Sequence, residues 1–188
     1  MRISGGILAG RKVGVPPGQI RPAMDRMRES VFAVLGDLSG LSFLDLFSGS
    51  GIIALEASSR GASCIEAVES DRGKAKTLIA NAAISPTPIR CRFMSCELYI
   101  RRAKKKFNII FCDPPFPYQH KSRLVRSIAS SLMYGAAENS GNLAEQSILV
   151  IHRPKSEGLD LSSETTPLSI VETRRYGNSA VDFIKKLS

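Results

Sequence analysis

The sequence lacks the features that cross-link small secreted domains or hold a chain in a membrane. Its four cysteines, Cys64, Cys91, Cys96 and Cys112, stand singly, and no two of them form a C-x-x-C pair. A zinc site is therefore not expected, and isolated cysteines are typical of the reduced cytoplasm. No apolar run approaches the roughly 18 residues of a membrane-spanning helix. The N-terminus lacks an apolar h-region, so we also expect neither a secretory signal nor a membrane partner.

Acidic residues are in the minority, with 17 Asp and Glu against 26 Lys and Arg, which gives a net charge of +9. Such an excess favours a polyanionic partner. The basic residues crowd the first thirty positions, at Arg2, Arg11, Lys12, Arg21, Arg26 and Arg28. We interpret this group as a nucleic-acid contact. A second basic cluster, at residues 101–106, is interpreted as the solvated end of a helix.

The chain has no internal repeat, and its 188 residues suit one ordinary domain. From Ser42 onward, predicted strands and helices alternate, which is typical of a doubly wound, mostly parallel α/β sheet. Two final strands around residues 176–179 form a predicted antiparallel hairpin. Residues 2–8 and 11–15 predict a small β element. We therefore divide the chain into a basic β element over residues 1–20 and a main domain over residues 21–188.

Hydrophobic periodicity and turn residues predict the individual elements. Helices are predicted over 24–35, 51–60, 71–83, 97–104 and 120–134. Strands are predicted over 43–47, 64–69, 89–94, 107–112, 148–151, 168–173 and 180–184.

A glycine-rich loop follows the first predicted strand of the main domain. The segment Asp45-Leu46-Phe47-Ser48-Gly49-Ser50-Gly51 opens a helix and, with Ala54, fits the pattern G-x-G-x-x-G/A. Glu69 ends the second strand, close to the roughly 20-residue offset at which a carboxylate binds ribose hydroxyls. The strand, turn, helix and acidic residue together predict a cofactor that contains a nucleoside.

The charge beside the loop distinguishes between two cofactors. NAD would place its pyrophosphate at the helix N-terminus, where the carboxylate of Asp45 would repel it. The same carboxylate suits the cationic α-amino group of S-adenosylmethionine, which also carries an adenosine ribose. We therefore favour S-adenosylmethionine. Ser95 and Cys96, after the third strand, lie where its adenine should reach.

A stiff corner follows the apolar run at residues 107–112. Its residues are Asp113, Pro114, Pro115 and Phe116. Each proline fixes its own φ and restricts the residue before it, so the strand must end there. Ligands bind at such strand ends in open α/β sheets. A carboxylate and a backbone carbonyl can accept the hydrogens of an exocyclic amine, and the aromatic ring can stack on a flat base. The alternative is an ordinary surface turn.

The two histidines of the sequence receive no catalytic role. His120 is predicted to lie on a surface loop, and His152 is predicted to end a strand.

These motifs together resemble a known family. The glycine loop with Asp113-Pro114-Pro115-Phe116 looks like the class I S-adenosylmethionine-dependent amino-methyltransferases. The opening, Arg2-Ile3-Ser4-Gly5-Gly6 with Gly10-Arg11-Lys12, and the late Arg175-Tyr176-Gly177 are similar to the bacterial RsmD family. Members of that family are guanine-N2 methyltransferases of small-subunit ribosomal RNA.

The resemblance implies a seven-stranded, Rossmann-like methyltransferase sheet with a reversed last hairpin. It implies that S-adenosylmethionine is bound by Asp45, Phe47, Gly49, Gly51 and Glu69. The target guanine of 16S ribosomal RNA would be held by Asp113, Pro114, Pro115 and Phe116. RNA would contact Arg2, Arg11, Lys12, Arg21 and Arg26. The partner would be the small ribosomal subunit or its assembly intermediate, and we expect a cytoplasmic monomer.

Two other functions remain open at this point. The corner motif also occurs in DNA adenine-N6 methyltransferases, but these are expected to carry a separate base-recognition domain for which 188 residues leave little room. A non-catalytic RNA-binding factor for ribosome assembly could retain the same fold. An intact Asp113 and an intact glycine loop argue against that second alternative.

Overall fold

A computed structural model describes residues 1–16, 23–134, 146–162 and 167–187. In chain order its elements are α1 (Ala23–Leu35), β1 (Ser42–Leu46), α2 (Ile52–Ser59), β2 (Cys64–Val68), α3 (Ala75–Ala82), β3 (Ile89–Arg92), α4 (Cys96–Arg102), β4 (Ile109–Cys112), α5 (Lys121–Leu132), β5 (Ile148–Pro154), β6 (Leu168–Tyr176) and β7 (Ser179–Lys186). A short 3₁₀ turn at Arg72–Lys74 precedes α3. Within these residues, no helix is both long enough and apolar enough to cross a bilayer.

The chain divides into two compact units, Met1–Cys96 and Glu97–Ser188. In the first unit, the strand order is β3-β2-β1, and both pairings are parallel. In the second unit, the order is β4-β5-β7-β6, with β4 parallel to β5 and β7 antiparallel to both of its neighbours. The predicted α/β class, with a seven-stranded, mostly parallel sheet and a C-terminal antiparallel hairpin, is confirmed.

Burial explains why these segments form strands and helices. All four residues of β4 are buried, as are four of the five in both β1 and β2. Continuous apolar runs of this kind are typical of parallel strands that are covered on both faces. Helix α5 instead buries one face, through Leu124, Val125, Ile128, Ala129 and Leu132. The helix predicted over 120–134 is therefore present, and it is amphipathic.

The predicted N-terminal β element is smaller than expected. Its two segments meet in a single antiparallel bridge between Arg2 and Lys12. Gly6 adopts a φ of 74°, and a Cβ there would lie 1.9 Å from the carbonyl oxygen of Ser59. The segment thus turns to pack closely against the end of α2 instead of extending as a hairpin. The proposed boundary at residue 20 lies outside the described residues and stays a prediction.

Most other predicted boundaries lie within a few residues of the observed ones. The last hairpin is longer than predicted, because β6 and β7 remain paired up to Tyr176 and Ser179 beside the turn. The segment over 135–146 is polar and rich in small residues, which indicates a loop or weak helix, and it lies outside the described residues except at its last position.

A fully buried carboxylate connects the N-terminal segment to α2. Glu56 is 0% exposed. Its Oε1 accepts hydrogen bonds from the backbone N–H of Ser4 at 2.7 Å and from Nε of Arg28 at 2.8 Å. Its Oε2 accepts from the hydroxyl of Ser4 at 3.0 Å and from Nη1 of Arg60. All of the carboxylate's hydrogen-bonding capacity is thus directed at groups from three separate segments.

The two arginines extend this cluster to α1. Arg28 also donates to Oδ1 of Asp25 at 2.7 Å and to the carbonyl oxygen of Arg2 at 2.8 Å. The guanidinium of Arg60 lies 4.6 Å from the ring centroid of Phe32. Two positive and two negative side chains therefore balance in the cluster, which makes the burial of Glu56 and Arg28 tolerable.

We expect Glu56→Ala to reduce the free energy of unfolding by about 3–5 kcal/mol, because it removes the buried charge partner of Arg28 and leaves it only the half-exposed Asp25. Urea denaturation would measure the loss. Glu29→Ala, on the exposed side of α1, is the matched control and should cost under about 0.5 kcal/mol. Equal losses in the two variants would contradict the structural importance of Glu56.

Candidate functional site

The glycine loop between β1 and α2 is held in an uncommon backbone conformation. Phe47, Gly49 and Gly51 adopt φ values of 63°, 57° and 79°. The backbone N–H of Ser48 donates to the carbonyl oxygen of Val68 at 2.9 Å, and that of Gly51 donates to Ser48 at 2.8 Å. A non-glycine residue with positive φ is uncommon and is held by its surroundings. The strained Phe47 therefore marks this turn as a candidate functional loop.

The two glycines of the loop serve different purposes. A Cβ at Gly51 would lie 2.6 Å from Cδ1 of Leu78, so packing and backbone conformation both require glycine there. A Cβ at Gly49 would meet no atom within 4 Å. The backbone at Gly49 thus borders open space in the first unit, where a ligand can approach it closely.

Two buried carboxylates hold the loop. Asp45 is 1% exposed, and its Oδ2 accepts from the hydroxyl of Ser48 at 2.7 Å and from the backbone N–H of Ala54 at 3.2 Å. It therefore caps the first turn of α2 from the end of β1. Glu69 is 5% exposed, and its Oε2 accepts from the backbone N–H of Gly49 at 2.8 Å. The predicted residues Asp45, Phe47, Gly49, Gly51 and Glu69 are thus brought together.

The charges around the loop determine which ligand it fits. Asp45 and Glu69 both hydrogen-bond to the loop itself, and the ammonium of Lys74 lies 3.7 Å from Oε2 of Glu69. A pyrophosphate would meet two carboxylates at the start of α2. A ligand with a cationic amino group would meet no such repulsion.

Ser95 and Cys96 differ in their accessibility. Ser95 is exposed, whereas Cys96, the first residue of α4, is 4% exposed. Of the two, Ser95 can present its side chain to a ligand more easily. The assignment of both residues to the adenine stays a prediction.

The corner at the end of β4 has a partner that was not predicted from the sequence. Asp113 follows β4, and its side chain is 23% exposed. Its Oδ1 lies 2.8 Å from Nδ1 of His152, on β5. The sequence predicts His152 at the end of a strand without a role, because no local motif connects the two residues. The structure shows it in the interior of β5 and in contact with the carboxylate.

Further contacts hold the backbone of the corner. The buried ammonium of Lys121 donates to the carbonyl oxygens of Phe116 at 3.0 Å and Tyr118 at 2.7 Å, and to Glu157 at 2.8 Å. The backbone N–H of Tyr118 donates to the carbonyl oxygen of Pro115 at 2.8 Å. Residues after the two prolines are therefore fixed as well, which agrees with the predicted stiffness of the corner. Lys121 had no signal in the sequence beyond its position at the start of a predicted helix.

The predicted basic residues fall into two groups. Arg2, Arg11, Lys12 and Arg26 are exposed, and Arg21 lies outside the described residues. Arg28 is 3% exposed and belongs to the Glu56 cluster, so it is not available to a polyanion. A groove of about 610 Å³ beside the N-terminal segment is lined by basic and acidic side chains, among them Arg2, Lys12, Asp25 and Glu29. Because acidic residues also line this groove, the positive surface comes from the exposed arginine and lysine side chains and not from the groove as a whole.

Cysteines and acidic residues form no evident metal centre in the part of the chain that is described. Within it, no three His, Cys, Asp or Glu side chains come together in a way that could hold a metal ion.

Burial raises the pKa of the Cys91 thiol, which keeps this thiol protonated near neutral pH.

Asn81 is a buried connector that the sequence reading missed. Its Oδ1 accepts from the backbone N–H of Gly14 at 2.8 Å. Its Nδ2 donates to the carbonyl oxygens of Gly14 at 3.0 Å and Ser50 at 2.8 Å. The only available signal was its helical spacing from Leu78, which placed a polar residue on the buried face of α3. Asn81 thus joins the N-terminal segment to the glycine loop.

We expect Asn81→Ala to increase amide hydrogen exchange both in residues 13–16 and in the glycine loop, because it removes all three of these hydrogen bonds. Exchange measured by mass spectrometry would locate the change. Asn178→Ala, in the exposed turn between β6 and β7, is the matched control and should leave both segments unchanged. A variant that loosened only one of the segments would contradict the connecting role.

Comparison with known proteins assigns the family. The model described as "Conserved hypothetical protein 95" matches residues 1–185. The chain is 33% identical over 163 residues to "Ribosomal RNA small subunit methyltransferase D" of Escherichia coli K12, covering 85% of this chain and 77% of that protein. It is 28% identical to "Putative rRNA methyltransferase YlbH" of Bacillus subtilis, with 99% of both chains covered.

A solved structure agrees with these relationships in sequence. "Putative methyltransferase yhhF from Escherichia coli" superposes with a TM-score of 0.81 at 27% identity, and the match covers 100% of this chain and 98% of that one. Fold and sequence therefore lead to the same assignment: the chain belongs to the family described as conserved hypothetical protein 95, together with the ribosomal RNA small subunit methyltransferase D of Escherichia coli.

Proposed function

We propose that this protein transfers a methyl group from S-adenosylmethionine to the exocyclic N2 of a guanine in 16S ribosomal RNA. The observation that carries the proposal is the carboxylate of Asp113, which is partly exposed at a stiff strand end. The family model matches residues 1–185 of the same chain. The relative that is 33% identical is named as a small-subunit ribosomal RNA methyltransferase, which supports the same class of substrate.

The glycine loop supports the choice of S-adenosylmethionine. When bound, S-adenosylmethionine would supply a methyl group on a positively charged sulfur, which is an electrophile without further activation. Glu69 would accept hydrogen bonds from its ribose hydroxyls, and the open backbone at Gly49 would lie against it. Asp45, which caps α2, keeps negative charge near the loop and so favours a cationic amino group over a phosphate.

Asp113 supports the choice of an amine as the acceptor. The N2 nitrogen of guanine is a poor nucleophile, because its lone pair is delocalised into the ring. Asp113 would accept one amine hydrogen, and a backbone carbonyl of the corner would accept the other, which directs the lone pair toward the methyl carbon. The nitrogen gains a bond to carbon as the carbon–sulfur bond breaks, and one N–H proton then leaves. Asp113 therefore acts mainly by positioning the amine.

Exposed basic residues on the N-terminal segment support an RNA substrate. Arg2, Arg11 and Lys12 can each contact a phosphate, and their segment is fixed to α2 through Ser4 and Glu56. The target guanine has to leave its stack to reach Asp113, and Phe116 would then stack on the base. A monomer in the cytoplasm remains our expectation.

The two alternative functions can be separated from this proposal in one experiment. Methyl transfer from labelled S-adenosylmethionine would be measured in parallel on hypomethylated small subunits, naked 16S ribosomal RNA and DNA. We expect label on N2-methylguanine in RNA. Label on adenine in DNA would favour a DNA methyltransferase, and cofactor-independent RNA binding without transfer would favour an assembly factor.

We expect Asp113→Ala to lower the single-turnover rate of methyl transfer by about 10² or more, the range found when one preorganised hydrogen-bonding group is removed from an active site. Cofactor affinity, measured by calorimetry, should change little. Asp37→Ala, which removes an exposed carboxylate after α1, is the control and should transfer methyl groups at the wild-type rate. Transfer by Asp113→Ala at that rate would remove Asp113 from the chemistry.

Replacing Arg2, Arg11 and Lys12 together with alanine should weaken RNA binding and reduce the slope of log affinity against log salt by about one unit per lost phosphate contact. Filter binding over a range of salt concentrations would measure the slope. A triple alanine variant at the exposed Arg101, Arg102 and Lys104 removes the same charge and is the matched control. If both variants change the slope equally, net charge and not a defined RNA contact explains the effect.

A further inference from the structure

We infer that His152 is a positioning residue, whose Nδ1–H holds Oδ1 of Asp113 so that Oδ2 faces the amine of the substrate. This inference rests on the proposed function, since it concerns how the same carboxylate is aimed. The pair was not predicted from either residue's local sequence.

Strand register places the two residues side by side. Strands β4 and β5 are parallel, and Cys112 is opposite Ile151. The next position along each strand is Asp113 and His152, so their side chains leave the sheet next to each other. The side chain of His152 is 9% exposed, compared with 23% for that of Asp113. The histidine is therefore the inner partner, and the carboxylate is the one that a substrate can reach.

The chemistry of the pair determines where the proton lies. An ionised carboxylate is only an acceptor, so Nδ1 must carry a hydrogen to bond with it at 2.8 Å. A neutral imidazole has one N–H, and the hydrogen bond it makes selects which nitrogen bears it. The contact thus requires a protonated Nδ1, either in the neutral Nδ1–H form or in the imidazolium.

Packing limits the movement of both side chains. The ring of Phe116 meets the imidazole edge-on, with centroids 5.3 Å apart and planes at 60°. Within the described residues, the only hydrogen bond to the carboxylate of Asp113 is the one from His152. Oδ1 is thus held by an inner, well-packed donor, whereas Oδ2 remains for the amine. A carboxylate fixed in this way loses less rotational freedom when the substrate binds.

Two substitutions at His152 separate hydrogen bonding from packing. His152→Leu keeps an apolar side chain of similar bulk but removes the donor. His152→Asn keeps an N–H donor near the position of Nδ1. At saturating cofactor and RNA, we expect the leucine variant to lower the single-turnover rate about tenfold to a hundredfold, as for a lost hydrogen bond to a charged group. The asparagine variant should recover most of the rate, and cofactor affinity should be unchanged in both.

Nitrogen-15 NMR of the imidazole tests the pairing without any assay of activity. The chain has two histidines, so a His120→Asn background leaves the signals of His152 alone. Asparagine is suited to position 120, because His120 has a φ of 66°. In this background, we expect the imidazole proton to lie on Nδ1. When Asp113→Ala is added, the proton should move to Nε2 or exchange rapidly with solvent.

The outcomes distinguish this inference from the proposed function. Equal rates for the leucine and asparagine variants, or an unprotonated Nδ1, would overturn the role of His152 even if the wild type methylates RNA. If the wild type methylates none of the RNA substrates, the proposed function fails, and the NMR result alone then decides whether His152 holds Asp113. A thermal melting midpoint within a few degrees of the wild type would show that each variant is folded.

Discussion

The buried carboxylate of Glu56 is the constraint on which the rest of the first unit depends. It accepts hydrogen bonds from the N-terminal segment, from α1 and from Arg60 just after its own helix α2, and its removal would leave the buried Arg28 with only a half-exposed carboxylate as partner. The N-terminal segment has few apolar side chains of its own to bury, chiefly Ile3 and Val13. Its position is therefore set by polar contacts. The glycine loop leads directly into the start of α2, and the N-terminal segment packs against residues near the end of the same helix. One helix therefore connects the loop to the basic segment.

Acidic residues at the ends of three parallel strands are used in three different ways. Asp45, after most of β1, is almost wholly committed to capping α2 and holding Ser48. Glu69, directly after β2, orients the backbone at Gly49, which borders open space. Asp113, at the end of β4, is the most exposed of the three. Carboxylates near the ends of strands thus range from a buried structural cap to a partly exposed group, depending on which donors surround them.

Charge in this protein is divided between structure and surface in the same way. The positive residues near the N-terminus look equivalent in the sequence, yet Arg28 is buried in an ion cluster whereas Arg11 and Lys12 are exposed. Lys121 is also buried, and it satisfies backbone carbonyls of the corner after β4. A net positive charge therefore indicates a polyanionic partner only in general terms. The identity of the residues that could contact RNA depends on which cations the fold has already paired.

The sequence by itself determined the alternation of strands and helices, the glycine loop and the stiff corner at Asp113, because each depends on backbone preferences of neighbouring residues. It also carried the family resemblance, since those motifs are contiguous. Only the tertiary structure decided that Glu56 meets Ser4, that Asn81 meets Gly14, and that His152 meets Asp113. The partners are separated by 52, 67 and 39 positions in the chain. Which distant donor reaches a buried acceptor depends on strand order, register and helix packing, and no local pattern of residues encodes these.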